Sequence, residues 1–168
     1  MKSAYKFEIL LFGVIYLAVL MFFASCEQEE APVNLTVAPG GGTATTYKAY
    51  TVSAETEDDV YGRIVFYKDN ANHTLVQVAL YNTSAETEYE STLFSGAVDV
   101  ADPAVAERFY SINGATGEFA PSKFFVIADK NFFSGLSDLD AHIRIMSGET
   151  LISSGNVGKN ATPVAESE

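Results

Sequence analysis

An all-β fold, an antiparallel Greek-key sandwich or barrel, is predicted by three features of the chain. Short runs alternate apolar and polar side chains with the period of two that sends successive residues to opposite faces of a strand. Turn-forming residues interrupt these runs at short intervals. No long stretch carries the apolar spacing of an amphipathic helix. About seven or eight short strands divided in this way suit two packed antiparallel sheets or a closed barrel.

The elements follow in order. Tyr47–Ser53 is the first, weaker strand. In Tyr61–Lys68, Ile64 and Phe66 take one face and Arg63, Val65 and Tyr67 the other. Asp69-Asn70-Ala71-Asn72 is a turn cluster that runs on into His73. In Thr74–Tyr81, Val76, Val78 and Leu80 share a face, with Gln77 opposite. Ser91–Val98 and Glu107–Asn113 are weaker strands, and Pro103–Glu107 reads as a short helical segment. Asn113-Gly114 is the strongest hairpin signal, and Pro103 and Pro121 mark strand exits. Phe124–Ala128, apolar on both faces, reads as a central strand closed by Asp129-Lys130-Asn131, with Phe132–Leu136 as a single helical turn. In Asp140–Ile145, Ala141, Ile143 and Ile145 face in and Asp140, His142 and Arg144 face out; Thr150–Ser154 follows.

The chain divides into residues 1–25, a tether 26–45, a β-domain 46–161 and a polar tail 162–168. Lys2 and Lys6, an apolar run from Ile9 to Phe23, and the small residues Ala24 and Ser25 form the pattern of a secretory signal. It ends on Cys26, the single cysteine, so the chain forms no internal disulfide. This arrangement resembles the lipobox of bacterial lipoproteins, although Phe23 stands where Leu is usual. The resemblance implies cleavage before Cys26, a covalent lipid on its thiol, and a partner in the membrane itself. Glu27, Gln28, Glu29 and Glu30 resemble the acidic export signal of surface lipoproteins in the Bacteroidota. That implies an outer-membrane anchor facing the medium, with the periplasmic leaflet as the alternative. The remaining tether is rich in Pro, Gly and Thr; Gly40-Gly41-Gly42 lacks the Lys-Ser/Thr pair of a phosphate loop and reads as flexible linker.

Charge narrows the partners. The chain carries a formal −12, and removing Lys2, Lys6 and Glu8 with the signal makes this −13. Such a surface excludes nucleic acid as a partner, since no basic cluster offsets the repulsion. About 140 mature residues suit one core.

Residues 139–160, LDAHIRIMSGETLISSGNVGKN, resemble the end of CHRD-like domains, with Ile143–Met146 as the last family strand and Gly155–Asn160 as the closing motif. Residues 62–89 match that family's opening hairpin in pattern. The resemblance implies a sandwich related in architecture to Cu/Zn superoxide dismutase, immunoglobulin-like architecture being the alternative. Family members carry metal-ligand-like histidines; here Thr92, Phe94 and Met146 occupy those positions, so no metal is expected.

The two histidines, His73 and His142, read as surface residues that could meet in space but make a poor zinc site alone. Asp58-Asp59, the series Glu86, Glu88 and Glu90 along an exposed edge, and Asp138 and Asp140 read as solvated acids. Asp138 and Asp140 with Asn131 lack an EF-hand pattern. No Gly-x-Ser-x-Gly elbow is present, and no catalytic residue is assigned. The leading expectation is a non-catalytic, lipid-anchored binding or structural module without cofactor, its protein or glycan ligand unknown. One alternative is a small metal-binding protein or enzyme using His73, His142 and nearby acids. Another is an accessory glycan-binding lipoprotein, with Tyr47, Tyr50 and Tyr89 as stacking candidates.

Overall fold

The computed structural model describes residues 44–56 and 60–167. Among them are eleven strands: β1 (Tyr47–Ala54), β2 (Tyr61–Lys68), β3 (Thr74–Tyr81), β4 (Glu88–Ser95), β5 (Val105–Arg108), β6 (Ile112–Asn113), β7 (Glu118–Phe119), β8 (Phe125–Ile127), β9 (Asp140–Ser147), β10 (Thr150–Gly158) and β11 (Ala165–Ser167). One helical turn, α1 (Phe132–Gly135), runs into a 3-10 turn at Leu136–Asp138, where the sequence expects a single turn. The all-β reading holds. The strands form one antiparallel sheet in the order β7-β6-β4-β9-β10-β1-β2-β3-β8, with β11 beside β1 and β5 beside β4. The passages from β3 to β4 and from β8 to β9 join strands that are not neighbours, so the sheet is not a simple up-and-down meander.

Alternation builds the core. Gly62, Ile64 and Phe66 on β2 are buried while Tyr61, Arg63 and Lys68 are exposed. Phe66 meets Tyr50 of β1 edge-on at 6.1 Å and Phe132 of α1 at 6.0 Å. Val52, Val76, Val78, Leu93, Ile143, Ile145 and Val157 add fully buried side chains to the same cluster. Each such side chain contributes roughly 1.5–3 kcal/mol by leaving water.

The sheet nearly closes into a barrel. β8 pairs with β3 at Thr74–Val76, and farther along the same edge Leu80 donates its N–H to the Gly117 carbonyl at 2.8 Å. Gly117 ends the four-residue loop between β6 and β7, where the Asn113 carbonyl accepts from both Thr116 and Gly117. The hairpin expected at Asn113-Gly114 is therefore present, but the residue with positive φ is Gly117, at +71°.

Four expectations need correction. Phe125–Ile127 is a terminal strand of the ladder rather than a central one, and Val126 is 46 % exposed. Its double-sided apolar pattern comes instead from a small second cluster in which Phe124 packs with Leu75 and Ala44. The Pro103–Glu107 segment is extended, because β5 pairs with β4 at Thr92–Phe94. β4 is interior to the sheet, so Glu88 and Glu90 lie on a solvent face and not along an edge. The tail residues Ala165–Ser167 pair in register with Tyr47–Ala49.

Gly117→Ala tests the closure. A Cβ there would overlap the Leu80 carbonyl oxygen, whereas one at Gly148, also at positive φ (+58°), meets nothing. Urea unfolding should show Gly148→Ala losing roughly 1–2 kcal/mol, the cost of a left-handed residue. Gly117→Ala should lose clearly more; equal losses would mean that the contact does not constrain the barrel.

Candidate functional site

The stretch Gly155–Asn160 has a structural account at every position. Gly155 passes so close to the Thr51 carbonyl of β1 that a side chain would overlap it. Asn156 accepts the Val98 N–H on Oδ1 at 2.9 Å, and Val157 is buried in the core. Gly158, at φ +72°, packs against the Leu136 and Leu139 carbonyls, and its N–H bonds the buried Tyr50 hydroxyl. Lys159 pairs with Asp140 at 2.9 Å, and the Asn160 amide donates to the same carboxylate at 2.7 Å. Those two groups, the amide first, hold Asp140 below the usual carboxylate range. This segment fastens β10 to β9, β1 and the turn after α1.

The β4–β9 ladder brings together the positions singled out from sequence. Phe94 lies opposite His142, Thr92 opposite Arg144 and Glu90 opposite Met146. Because Leu93, Ile143 and Ile145 point into the core, these residues share the outer face. His142 is nevertheless completely buried, which corrects its assignment as a surface residue. Alternation places it on the outer face correctly; that face is covered by the segment between β4 and β5, residues 96–104. Three outer-face side chains hold this strap. His142 Nδ1 donates to the Gly96 carbonyl at 2.8 Å, Asn156 takes the Val98 N–H, and Arg144 donates to the Val100 carbonyl at 3.2 Å.

A carbonyl oxygen only accepts, so Nδ1 carries the proton, and in the neutral ring Nε2 holds a lone pair. Nε2 is buried and without a partner, as is Arg144 Nε. Phe94 stacks on the imidazole at 5.6 Å with 19° between the planes, and the Arg144 guanidinium sits 5.2 Å from the Phe94 ring centre. Burial pushes the imidazole below its ordinary value; Arg144 adds to this, while the Gly96 carbonyl and Asp99 oppose it. The arrangement does not fit a copper or zinc centre. The ladder sets the Phe94 ring and the Asn156 side chain directly opposite the one buried imidazole, with Thr92 and Arg144 one rung on, and a tight site needs about three or four N, S or carboxylate donors.

The other sequence-named residues do not join this face. His73 sits in the turn before β3, with β10, β1 and β2 between that strand and the strand of His142. Its ring contacts Asp69 at 3.1 Å, and its N–H meets the same carboxylate at 2.7 Å. Partial burial alone would raise the Asp69 pKa, but bonds from the His73 N–H and ring and from the Ala71 N–H outweigh it and hold the group below its ordinary value. Asp140 is taken by Lys159 and Asn160, while the backbone N–H and carbonyl of Asn131 bond to Asp129 and Ser134 around α1. Among the described residues, no group of three or more His, Cys, Asp and Glu is placed to share a metal. Tyr50 and Tyr89 are buried, which removes them as stacking candidates, while Tyr47 is half-buried with its ring 5.8 Å from that of Tyr67. Three exposed aromatics were not singled out by sequence reasoning: Tyr110, which packs on Phe119 and Phe125, and Tyr61 and Tyr81, whose cross-strand pairing is legible only once the register is known. Cys26, Glu27, Gln28, Glu29, Glu30 and Asp58-Asp59 lie outside the described residues.

Comparison with family models, curated proteins and solved structures found no match.

The strap gives a pH-dependent prediction. The unfolded chain takes up a proton on His142 near its ordinary value of 6.5, while the folded ring resists it. Stability is therefore complete above about pH 6.5 and falls as pH drops toward the lower folded value. His142→Phe should cost about 1–2 kcal/mol at pH 7.5, through the unpaired Gly96 carbonyl. It should also flatten the decline in urea midpoint as pH falls below about 6.5; an unchanged slope would show that His142 does not carry it.

Proposed function

We propose that this chain is a lipid-anchored module displayed on the outer membrane surface, which binds or supports a partner rather than catalysing a reaction. The observation that carries the reading is Cys26: a single cysteine placed directly after a charged, apolar and small-residue export pattern. The acidic residues Glu27, Glu29 and Glu30 support the outward address, and residues 31–43, which precede the buried Ala44, are long enough to stand the domain off the headgroups. Among the described residues, no helix is long and apolar enough to cross a membrane. In the domain, the position most suited to chemistry, the His142 imidazole, is filled in by Phe94 and roofed by the strap. Two open grooves, of about 240 and 300 Å³, are lined by Glu86, Thr87 and Asn113 and by Glu90, Thr92 and Arg108 respectively. Neither holds a histidine.

Mass spectrometry of the mature protein should find residues 1–25 removed and acyl chains on Cys26. Cys26→Ala should leave the membrane fraction or block processing, and an intact Met1 terminus on mature protein would overturn the anchor. Protease added to intact cells should digest the domain. Replacing Glu27, Glu29 and Glu30 by Ala should preserve lipidation and confer protection. Complete protection of the wild type beside a cleaved surface control would favour the periplasmic leaflet. Purified protein should contain well under one equivalent of copper or zinc, with a melting temperature indifferent to chelator. Stoichiometric metal lost with His142→Ala or His73→Ala would establish a metalloprotein instead.

A further inference from the structure

Most of the domain's aromatic rings are spent in packing, but Tyr61 and Tyr81 are not. The β2–β3 register sets them directly opposite each other. Their neighbours Gly62 and Leu80 are buried, so both tyrosines stand on the outer face. They are 53 % and 54 % exposed, with ring centres 5.5 Å apart and 34° between the planes. The next rung on that face pairs Arg63 with Ala79, and β1 adds Thr51 beside Arg63 and Ser53 one rung on. Thr51, Ser53 and Arg63 are exposed, and Arg63 has no ion-pair partner among the described residues. The small Ala79 leaves the two rings standing proud beside a polar margin.

Size and charge decide what such a surface can take. An aromatic side chain offers roughly 150–250 Å², so two half-exposed rings present about 200 Å². A stable protein interface needs about 800 Å² from each partner, several times more than this pair offers, and the surroundings here are polar. Single-stranded nucleic acid also stacks on aromatic rings, but it requires a basic groove to follow its backbone, and this chain carries −12. The remaining ligand chemistry combines a flat C–H face with hydroxyls around its rim and no negative charge. A pyranose with equatorial substituents has this form.

We propose that Tyr61 and Tyr81 form a stacking platform for a neutral, equatorially substituted hexose chain, with Arg63, Thr51 and Ser53 hydrogen-bonding its hydroxyl rim. The inference rests on the reading of this chain as a surface binding module and supplies the class of ligand. The tilt between the rings matches a twisted chain crossing two strands, one sugar face to each ring.

The test is calorimetric titration of the full-length protein, in a detergent without a sugar headgroup, with cellohexaose. Saturable binding in the millimolar range or tighter is expected. Tyr61→Ser or Tyr81→Ser alone should weaken it about tenfold, and the double substitution should abolish it. Tyr61→Phe/Tyr81→Phe keeps both ring faces and should retain binding within about threefold, which separates loss of the platform from loss of the fold. No binding up to about 10 mM, a range in which even weak complexes form, would overturn the proposal. So would undiminished binding by the double serine variant, or binding of polygalacturonate in place of cellohexaose. Because the titration uses purified protein, its result is independent of the anchor, which the mass-spectrometric experiment decides separately.

Discussion

An open sheet leaves a row of unpaired backbone groups at each end, and the architecture is organised around the way both rows are ended on one strand. The free edge of β3 is divided: β8 takes Thr74–Val76, and the Gly117 carbonyl takes the Leu80 N–H. The same division occurs twice more. β10 and β11 share one edge of β1, and β5 and β6 share one edge of β4. Three long strands thus divide one edge between two partners, which lets the sheet bend around its core without leaving a long flat edge exposed for pairing with another chain. No disulfide assists, so closure and core packing stabilise each other. Loss of the Leu80 contact would open the sheet beside Val78 and Phe119, both buried.

Much of this was legible in the sequence because one face of most strands is buried and the other is wet. β2 and β3 match their expected bounds, Tyr61–Lys68 and Thr74–Tyr81, since strong alternation and the Asp69–Asn72 turn fix both ends. The turn is readable because its chemistry is local: Asp69 Oδ1 accepts the N–H groups of Ala71 and His73. Short strands escaped. Ala165–Ser167 exists through pairing with β1, far away in the chain, and Glu118–Phe119 is only two residues that pair with Ile112–Asn113 across a four-residue loop; nothing in so short a run announces a strand. Val105–Arg108 was obscured by the proline before it, whose preference for a helix start is overridden by the ladder to β4. Phe124–Ala128 misled for another reason. A double-sided apolar run signals coverage on both faces, and packing on Leu75 and Ala44 provides that coverage without a second neighbouring strand.

The candidate site divides along the same line. Period-two reasoning told correctly which side of β9 His142 occupies, yet it carries no information about what lies over that side. The strap is built from non-local bonds, Gly96 to His142, Val98 to Asn156 and Val100 to Arg144, each spanning more than forty residues. The Gly155–Asn160 stretch teaches the complementary lesson. Recognisable as a motif, it has fold-level duties that explain its composition: two close backbone approaches, a buried valine, an ion pair and two amide bonds. A motif of this kind speaks for how the strands are fastened, and leaves the chemistry of the domain to residues elsewhere.

That separation bears on where function can sit. The β4–β9–β10 outer face has been closed: Phe94 fills the space above His142, the guanidinium of Arg144 lies over Phe94, and the strap is fastened to three side chains. A ligand could reach the imidazole only by breaking those bonds. The β1–β2–β3 outer face has the opposite character at the end that carries Tyr61 and Tyr81. There the rungs hold hydroxyls, a guanidinium and two half-exposed rings, and no covering segment among the described residues. Cross-strand tyrosines do add to sheet stability, by roughly 0.2–1 kcal/mol. That modest gain is available to any aromatic or β-branched pair and does not require half of each ring to remain in water. In a sheet whose other large rings are packed, surface left uncovered on one face while the opposite region is strapped shut places the accessible chemistry of this domain on the tyrosine face.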